Sequence, residues 1–358
     1  MHDVDPTTEQ MIRSVLAYAE NRLRLNPVPL DGLPRSPDDL AAATRGLLTD
    51  AGHNPDQVLG VYTSALAPAV ISADSPRFLG FIPAAPTKAA LLFDMLVSCA
   101  SIQGISWLEA AGAIHAENEV LRLIADRAGL PASAGGCFVS GGSAANLSAL
   151  AVARETAKTR RGSRRFRVAV STDAHSSIVN TLRLLEMDAL TVRTDDHRLT
   201  GAALIYREPD LARAVHTQDA SYLDVIHDRP AEWNPTDYAY HLTRRARGLP
   251  LWFSLAVHGV RAYTDAIEAA IGLARDTAAE IRTRPYLELI REPDLAIVLF
   301  RRAGWAPADY TRWADALLAD QVAFIPPSAW EGETVARFAF LHPDTPMHLV
   351  REVLDRMA

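Results

Sequence analysis

Between Cys137 and Val192, short apolar runs alternate with stretches of helical periodicity: 137–139 and then 143–158, 166–170 and then 176–185, and finally 189–192. Strands alternating with helices predict an α/β architecture, a parallel sheet with helices packed on both faces. One more apolar run follows at 202–206, and beyond Asp210 the chain reads as largely helical. Three or four such strands make a thin sheet for 358 residues. The alternation stops early.

The flanks differ in character. Met11, Val15, Leu16, Ala19 and Leu23 recur mostly at steps of three and four, and Ser36-Pro37-Asp38-Asp39 has the order of an N-cap followed by a first-turn proline. These signals predict a helical arm over residues 1–75. Long helices are predicted over 87–103 and 109–128, the second closed by Gly129-Leu130-Pro131. The tail from Leu287 mixes strands (296–300, 322–325, 335–341) with helices (308–318, 347–357). The expected division is an arm (1–75), a large ligand-binding domain (76–250) and a small α+β C-terminal domain (251–358).

Composition excludes some classes of function. With 36 basic against 43 acidic side chains the net charge is −7, which argues against non-specific nucleic-acid binding. The longest uncharged apolar runs, such as 249–257, are too short to span a membrane, and Met1-His2-Asp3-Val4-Asp5 lacks the basic-then-apolar order of a signal peptide. Cys99 and Cys137 cannot make a disulfide framework, so a cytoplasmic protein is expected. Only two of the basic residues are lysines, Lys88 and Lys158. Any lysine-dependent chemistry has two candidates.

The clearest local motif is Gly135-Gly136-Cys137-Phe138-Val139-Ser140-Gly141-Gly142-Ser143-Ala144-Ala145-Asn146, an apolar strand running through glycines into a helix. Backbone amides at such a turn, with the positive end of the helix dipole behind them, suit a phosphate. A plain glycine turn capped by Ser143 is the alternative. No Gly-Lys-Ser/Thr follows, so this is not a Walker loop. One β/α unit later, Ser171-Thr172-Asp173-Ala174-His175-Ser176-Ser177 puts His175 at the carboxyl end of a strand, where ligands of open α/β sheets collect. A histidine there either faces a ligand or caps the next helix. A phosphate cradle beside a flat imidazole suggests a planar phosphorylated cofactor.

Five segments then occur in a telling order: Pro76-Arg77-Phe78-Leu79-Gly80-Phe81-Ile82-Pro83, Ser106-Trp107, Ser140-Gly141-Gly142-Ser143-Ala144-Ala145-Asn146, Ala174-His175-Ser176-Ser177, and Leu242-Thr243-Arg244-Arg245-Ala246-Arg247-Gly248-Leu249-Pro250-Leu251-Trp252. The chain resembles the pyridoxal-phosphate-dependent amino-acid decarboxylases of the group that includes aromatic-amino-acid, tyrosine and glutamate decarboxylases. The resemblance implies a fold-type-I large domain, here with a reduced, mostly parallel sheet, plus the arm and small domain. It implies pyridoxal 5′-phosphate as cofactor, an amino acid as substrate, no metal, and a dimer. Carried over by position, Gly141, Gly142 and Ser143 match the phosphate loop, and His175 matches the histidine that stacks on the pyridine ring. Phe81, Ile82 and Pro83 match the segment lining the substrate pocket, and Tyr222 resembles the tyrosine of the mobile catalytic loop, with Tyr238 a weaker competitor.

The departure from the family is as informative as the match. Relatives continue past the position of Asp195-Asp196 with further β/α units that carry the aspartate for the pyridine nitrogen and the lysine that forms the Schiff base. Here the first of those units runs straight into the chain that follows the last, with the join near Leu204-Ile205. Three units of about thirty residues correspond to roughly ninety or more residues absent. Neither Lys88 nor Lys158 lies where the cofactor lysine belongs. A family member without turnover is therefore expected, with the cofactor not covalently attached. The alternative is a non-catalytic subunit that pairs with an intact paralogue. The shortened sheet is expected to keep two pairs of strands, 166–170 with 189–192 and 137–139 with 202–206, and closing it would require the strand at Phe166 to pair with the strand at Ala202, giving four strands.

Overall fold

The computed structural model describes residues 3–33, 35–162, 166–171, 174–192, 203–218 and 233–358. By contact the chain divides into two compact units, Met1–Pro86 with Val260–Ala358, and Thr87–Gly259. The N-terminal arm thus groups with the C-terminal residues.

In the first unit each N-terminal helix starts where the sequence supplies a cap and a first-turn proline. Asp5 accepts from the Thr8 amide at 2.7 Å to start α1 (Pro6–Arg24), Ser36 and Asp39 form a reciprocal capping box on α2 (Pro37–Thr44), and Asn54 caps α3 (Pro55–Val61). None of the three buries a residue.

The second unit carries the predicted alternation. α4 (Lys88–Cys99), capped by Thr87, and α5 (Trp107–Arg127) lead into β1 (Gly135–Phe138), α6 (Gly142–Arg161), β2 (Arg167–Ser171), α7 (Ser176–Leu184), β3 (Asp188–Val192), β4 (Ala203–Tyr206) and α8 (Pro209–His216). β2 and β3 pair in parallel, with Arg167 opposite Asp188. The expected pairing of the Phe166 strand with the Ala202 strand does not form. The two expected pairs do form, but β4 runs antiparallel along β1, Gly135 opposite Tyr206, where the sheet was expected to be mostly parallel, and the two ladders are separate two-stranded sheets.

Local packing explains why β4 goes to β1. A Cβ on Gly136 would lie 1.8 Å from the Leu204 carbonyl oxygen, and one on Gly135 would lie 2.4 Å from the Trp233 ring. The glycine pair lets β4 and Trp233 close down on β1, and Trp233 Nε1 donates to the Gly136 carbonyl at 3.0 Å. Cys137 and Val139, Leu204, Ala144, Ala145 and Val152 of α6, Ala212 of α8 and Tyr238 then share one apolar cluster. Burying a side chain of this kind is worth about 1.5–3 kcal/mol for the larger members, which favours this pairing over an open edge.

α9 (Leu249–Arg282) is interrupted at Gly259, whose φ of +76° lies in the left-handed region open to glycine, and the break coincides with the boundary between the units. The C-terminal part of the first unit holds β5 (Leu287–Leu289), β6 (Ile297–Arg302), α10 (Pro307–Ala319), β7 (Ser328–Trp330), β8 (Glu333–Ala339) and α11 (Met347–Asp355), with an antiparallel sheet ordered β5-β6-β8-β7. Phe300, Phe338, Phe340, Trp313, Leu317 and Val353 form its core. The run at 322–325 is not a strand of that sheet. Val322, Ala323 and Ile325 are apolar because they are buried, while Phe324 only bridges the 77–79 segment, donating to the Arg77 carbonyl and accepting from the Leu79 amide. Among the described residues no helix is long and apolar enough to cross a membrane.

Candidate cofactor site

The turn between β1 and α6 is built to receive something. Gly141 is the N-cap of α6, makes no side-chain capping bond, and its carbonyl accepts from the Ala144 and Ala145 amides, each at 3.1 Å. The first amides of any helix lack intrahelical acceptors, and here no side chain caps them. Ser143 is exposed and is not the cap. A Cβ on Gly141 would meet no described residue within 4 Å, so packing among the described residues does not demand glycine there. What the glycine leaves is room at the positive end of a 20-residue helix, which suits an anion.

His175 stands beyond the end of β2 as the N-cap of α7, exposed, its Nδ1 accepting from the Ser177 amide at 3.1 Å. It is a capping residue, as one of the sequence alternatives had it, and its ring is also open to a ligand. Ser177 Oγ lies 2.8 Å from the same Nδ1 and accepts from Asn146 Nδ2 at 2.8 Å. Asn146 and Ser177 are both buried. This chain of bonds ties the start of α6, which follows the glycine turn, to the start of α7, which His175 caps. Asn146 sits in the quoted glycine motif, but its bond to Ser177 spans 31 residues, and no local pattern announces it.

The other residues singled out from sequence fall elsewhere. Tyr222 and the Asp195-Asp196 loop lie outside the described residues. Phe81, Ile82 and Pro83 belong to the first unit, where Phe81 and Ile82 are exposed and the Phe81 ring lies 5.8 Å from that of Phe324. Tyr238 is buried and stacked on Trp233 at 4.2 Å, and burial raises its phenol above the ordinary range. It is a packing residue.

Two arginines of a type that suits an acidic substrate, Arg244 and Arg245, have protein partners. Arg244 Nη2 donates to both carboxylate oxygens of Glu117 at 2.7 Å and Nη1 to the Gly104 carbonyl at 2.6 Å, while Glu117 also accepts from the Gly248 amide. Burial pushes the Glu117 carboxyl up, against the downward pull of Arg244 and the Gly248 amide. Arg245 reaches Asp94 and Ser98. The Cys137 thiol, driven up to about 12 by burial, is a core atom and no nucleophile.

The lysines decide what the site can hold. Lys158 lies about 24 Å along α6 from the loop at Gly142, at 1.5 Å per residue, and its Nζ pairs with Glu155 at 2.9 Å. Lys88 is the exposed first residue of α4, beside the Thr87 cap. The loop and His175 therefore suit a phosphate joined to a flat ring, and Lys158 cannot reach a ring held there.

Fold and loop together are those of an α/β protein whose first strand–helix turn suits a phosphorylated ligand. Residues 37–207 match the family model described as "Pyridoxal-dependent decarboxylase conserved domain". An aromatic-L-amino-acid decarboxylase of Bacillus atrophaeus is 31% identical over 161 residues, which make up 44% of this chain but 33% of that relative. The match thus spans about a third of the relative's length. Among solved structures, the Oryza sativa TDC with PLP and tryptamine superposes with a TM-score of 0.87 at 16% identity, over 100% of this chain and 98% of that one. Mouse CSAD gives 0.84 at 16% identity, over 99% and 98%. Residues 37–207 thus carry the match to the pyridoxal-dependent decarboxylase domain, and the chain as a whole has the fold of these solved structures.

Proposed function

We propose that this chain binds pyridoxal phosphate through Gly141, Gly142, Ser143 and His175 but does not turn over an amino acid. The observation that carries the reading is the placement of the only two lysines: one is 16 residues down α6 in an ion pair, the other exposed at the start of α4. In a decarboxylase the bound cofactor supplies an electron sink for the bond to the departing carboxylate, and a lysine attaches and releases it. What remains here is binding and orientation. With the cofactor bound, the α6 amides would hold its phosphate and His175 would face its ring.

The comparisons support an internal gap. The Bacillus relative, three times the length of its 161-residue match, exceeds this chain by more than a hundred residues. Yet the fold neighbours align along nearly their whole length. By the name of that relative, the ancestral substrate is an aromatic L-amino acid. The free thiols Cys99 and Cys137 fit a reducing cytoplasm.

A visible spectrum with added pyridoxal phosphate, before and after borohydride, followed by mass spectrometry, tests this. The expected result is saturable binding without a reduced adduct on either lysine, and binding weakened by His175→Ala. One stoichiometric adduct on Lys88 or Lys158 would overturn it.

A second reading is favoured by α1. Met11, Ile12, Val15 and Leu16 are 40–52% exposed along this helix, and an apolar stripe of that kind suits a subunit interface. We propose that the chain dimerises, with itself or with an intact relative. Sedimentation should give a dimer that Val15→Glu dissociates, and a monomer at micromolar concentration would count against it.

A further inference from the structure

We propose that Ser177 and Asn146 are positioning residues that fix His175 as the tautomer protonated on Nε2, so that it meets a bound ring as a fixed plane with one outward N–H. The proposal deepens the reading of His175 as the ring that faces the cofactor and rests on it.

A backbone amide can only donate. The Ser177 N–H reaches His175 Nδ1 at 3.1 Å, so that nitrogen presents a lone pair and carries no proton. The Ser177 hydroxyl, 2.8 Å from the same Nδ1, already accepts Asn146 Nδ2–H at 2.8 Å, which leaves its own proton turned toward the imidazole. Two donors converge on one ring nitrogen. The imidazole's proton therefore sits on Nε2, and ring rotation is limited by bonds in two directions.

Three consequences follow for the site. Nδ1 is not available as a base, because its lone pair is engaged. The exposed Nε2–H is the one ring donor left for a ligand oxygen. Asn146 lies four residues after Gly142 on α6, so a shift of the phosphate loop is transmitted through Asn146 and Ser177 to the plane of His175. Both linking residues are buried, which shields the relay from competing water.

The test uses the full chain with ¹⁵N-labelled histidine. Long-range ¹H–¹⁵N correlation spectra, assigned by difference against His175→Gln, should show a pyridine-like Nδ1 and a pyrrole-like Nε2 for His175. Ser177→Ala and Asn146→Ala should weaken pyridoxal phosphate binding by about five- to tenfold, the weight of one hydrogen bond. Their affinity for inorganic phosphate should stay near wild type, and Ser177→Thr should restore the cofactor affinity. A His175 protonated on Nδ1 would overturn the proposal. So would Ser177→Ala and Asn146→Ala chains that bind the cofactor like wild type while His175→Gln does not. Should the wild-type chain fail to bind pyridoxal phosphate, the functional reading falls, while the tautomer measured on the same sample still decides the assignment.

Discussion

Arg244 and Glu117 form a pair in which both side chains are almost wholly removed from water, at 3% and 2% exposure. Each partner makes the other tolerable, because an ion buried alone costs several kcal/mol. Glu117→Gln would leave the guanidinium uncompensated and should destabilise the second unit by about 3–5 kcal/mol, read as a lower urea midpoint. The double change Glu117→Leu with Arg244→Met should cost clearly less, since no charge is stranded. In the sequence the run Arg244-Arg245-Ala246-Arg247 reads equally as a grip on an acidic substrate or as a helix cap. The ambiguity was real: the deciding partner lies 127 residues away. His175 was legible for the opposite reason, because its strand and its helix cap are adjacent in the chain.

At the scale of elements, one glycine motif proves to serve two purposes. Gly135 and Gly136 admit Trp233 and β4 against β1, whereas Gly141 opens a space that none of the described residues fills. Gly136→Ala should therefore prevent β1–β4 pairing and give insoluble or unfolded protein. Gly141→Ala, whose backbone is extended at φ 162°, should fold normally and lose phosphate affinity, checked by circular dichroism and by equilibrium binding. Helix and strand positions in this stretch were readable from periodicity. The pairing of β4 with β1 was readable too, but its antiparallel direction and the missing β2–β4 contact were not, because tertiary packing around Leu204 and Trp233 fixes them. The expected join at Leu204-Ile205 falls inside β4. Leu204 packs with Cys137 and Val139, and Ile205 into the cluster of Val120, Leu121 and Phe138, so both sides of the join have a core to enter.

At the scale of the molecule, the second unit should be acid-sensitive. Burial lowers the imidazoles of His216 and His241 below the ordinary 6.5, His241 to about 4 with the nearby Arg244 adding to the effect. Between pH 6.5 and 4 the unfolded chain then binds more protons than the folded one, so stability present above 6.5 is lost as the pH falls through that window. Thermal midpoints should drop by roughly 3–5 °C from this source between pH 7 and 4.5, and His241→Phe should flatten the slope. The family fold was legible in five ordered motifs, and the separation of the sheet was not, because no local pattern records which strand edges meet. That separation has a consequence for handling the protein. One sheet of four strands would end in two unpaired edges; two ladders of two strands, among the described residues, end in four. An edge strand can recruit another chain through the amides and carbonyls that no neighbouring strand pairs. The concentration at which this protein begins to self-associate into β-rich aggregates, followed by thioflavin fluorescence, should accordingly be lower than for a relative with its sheet continuous.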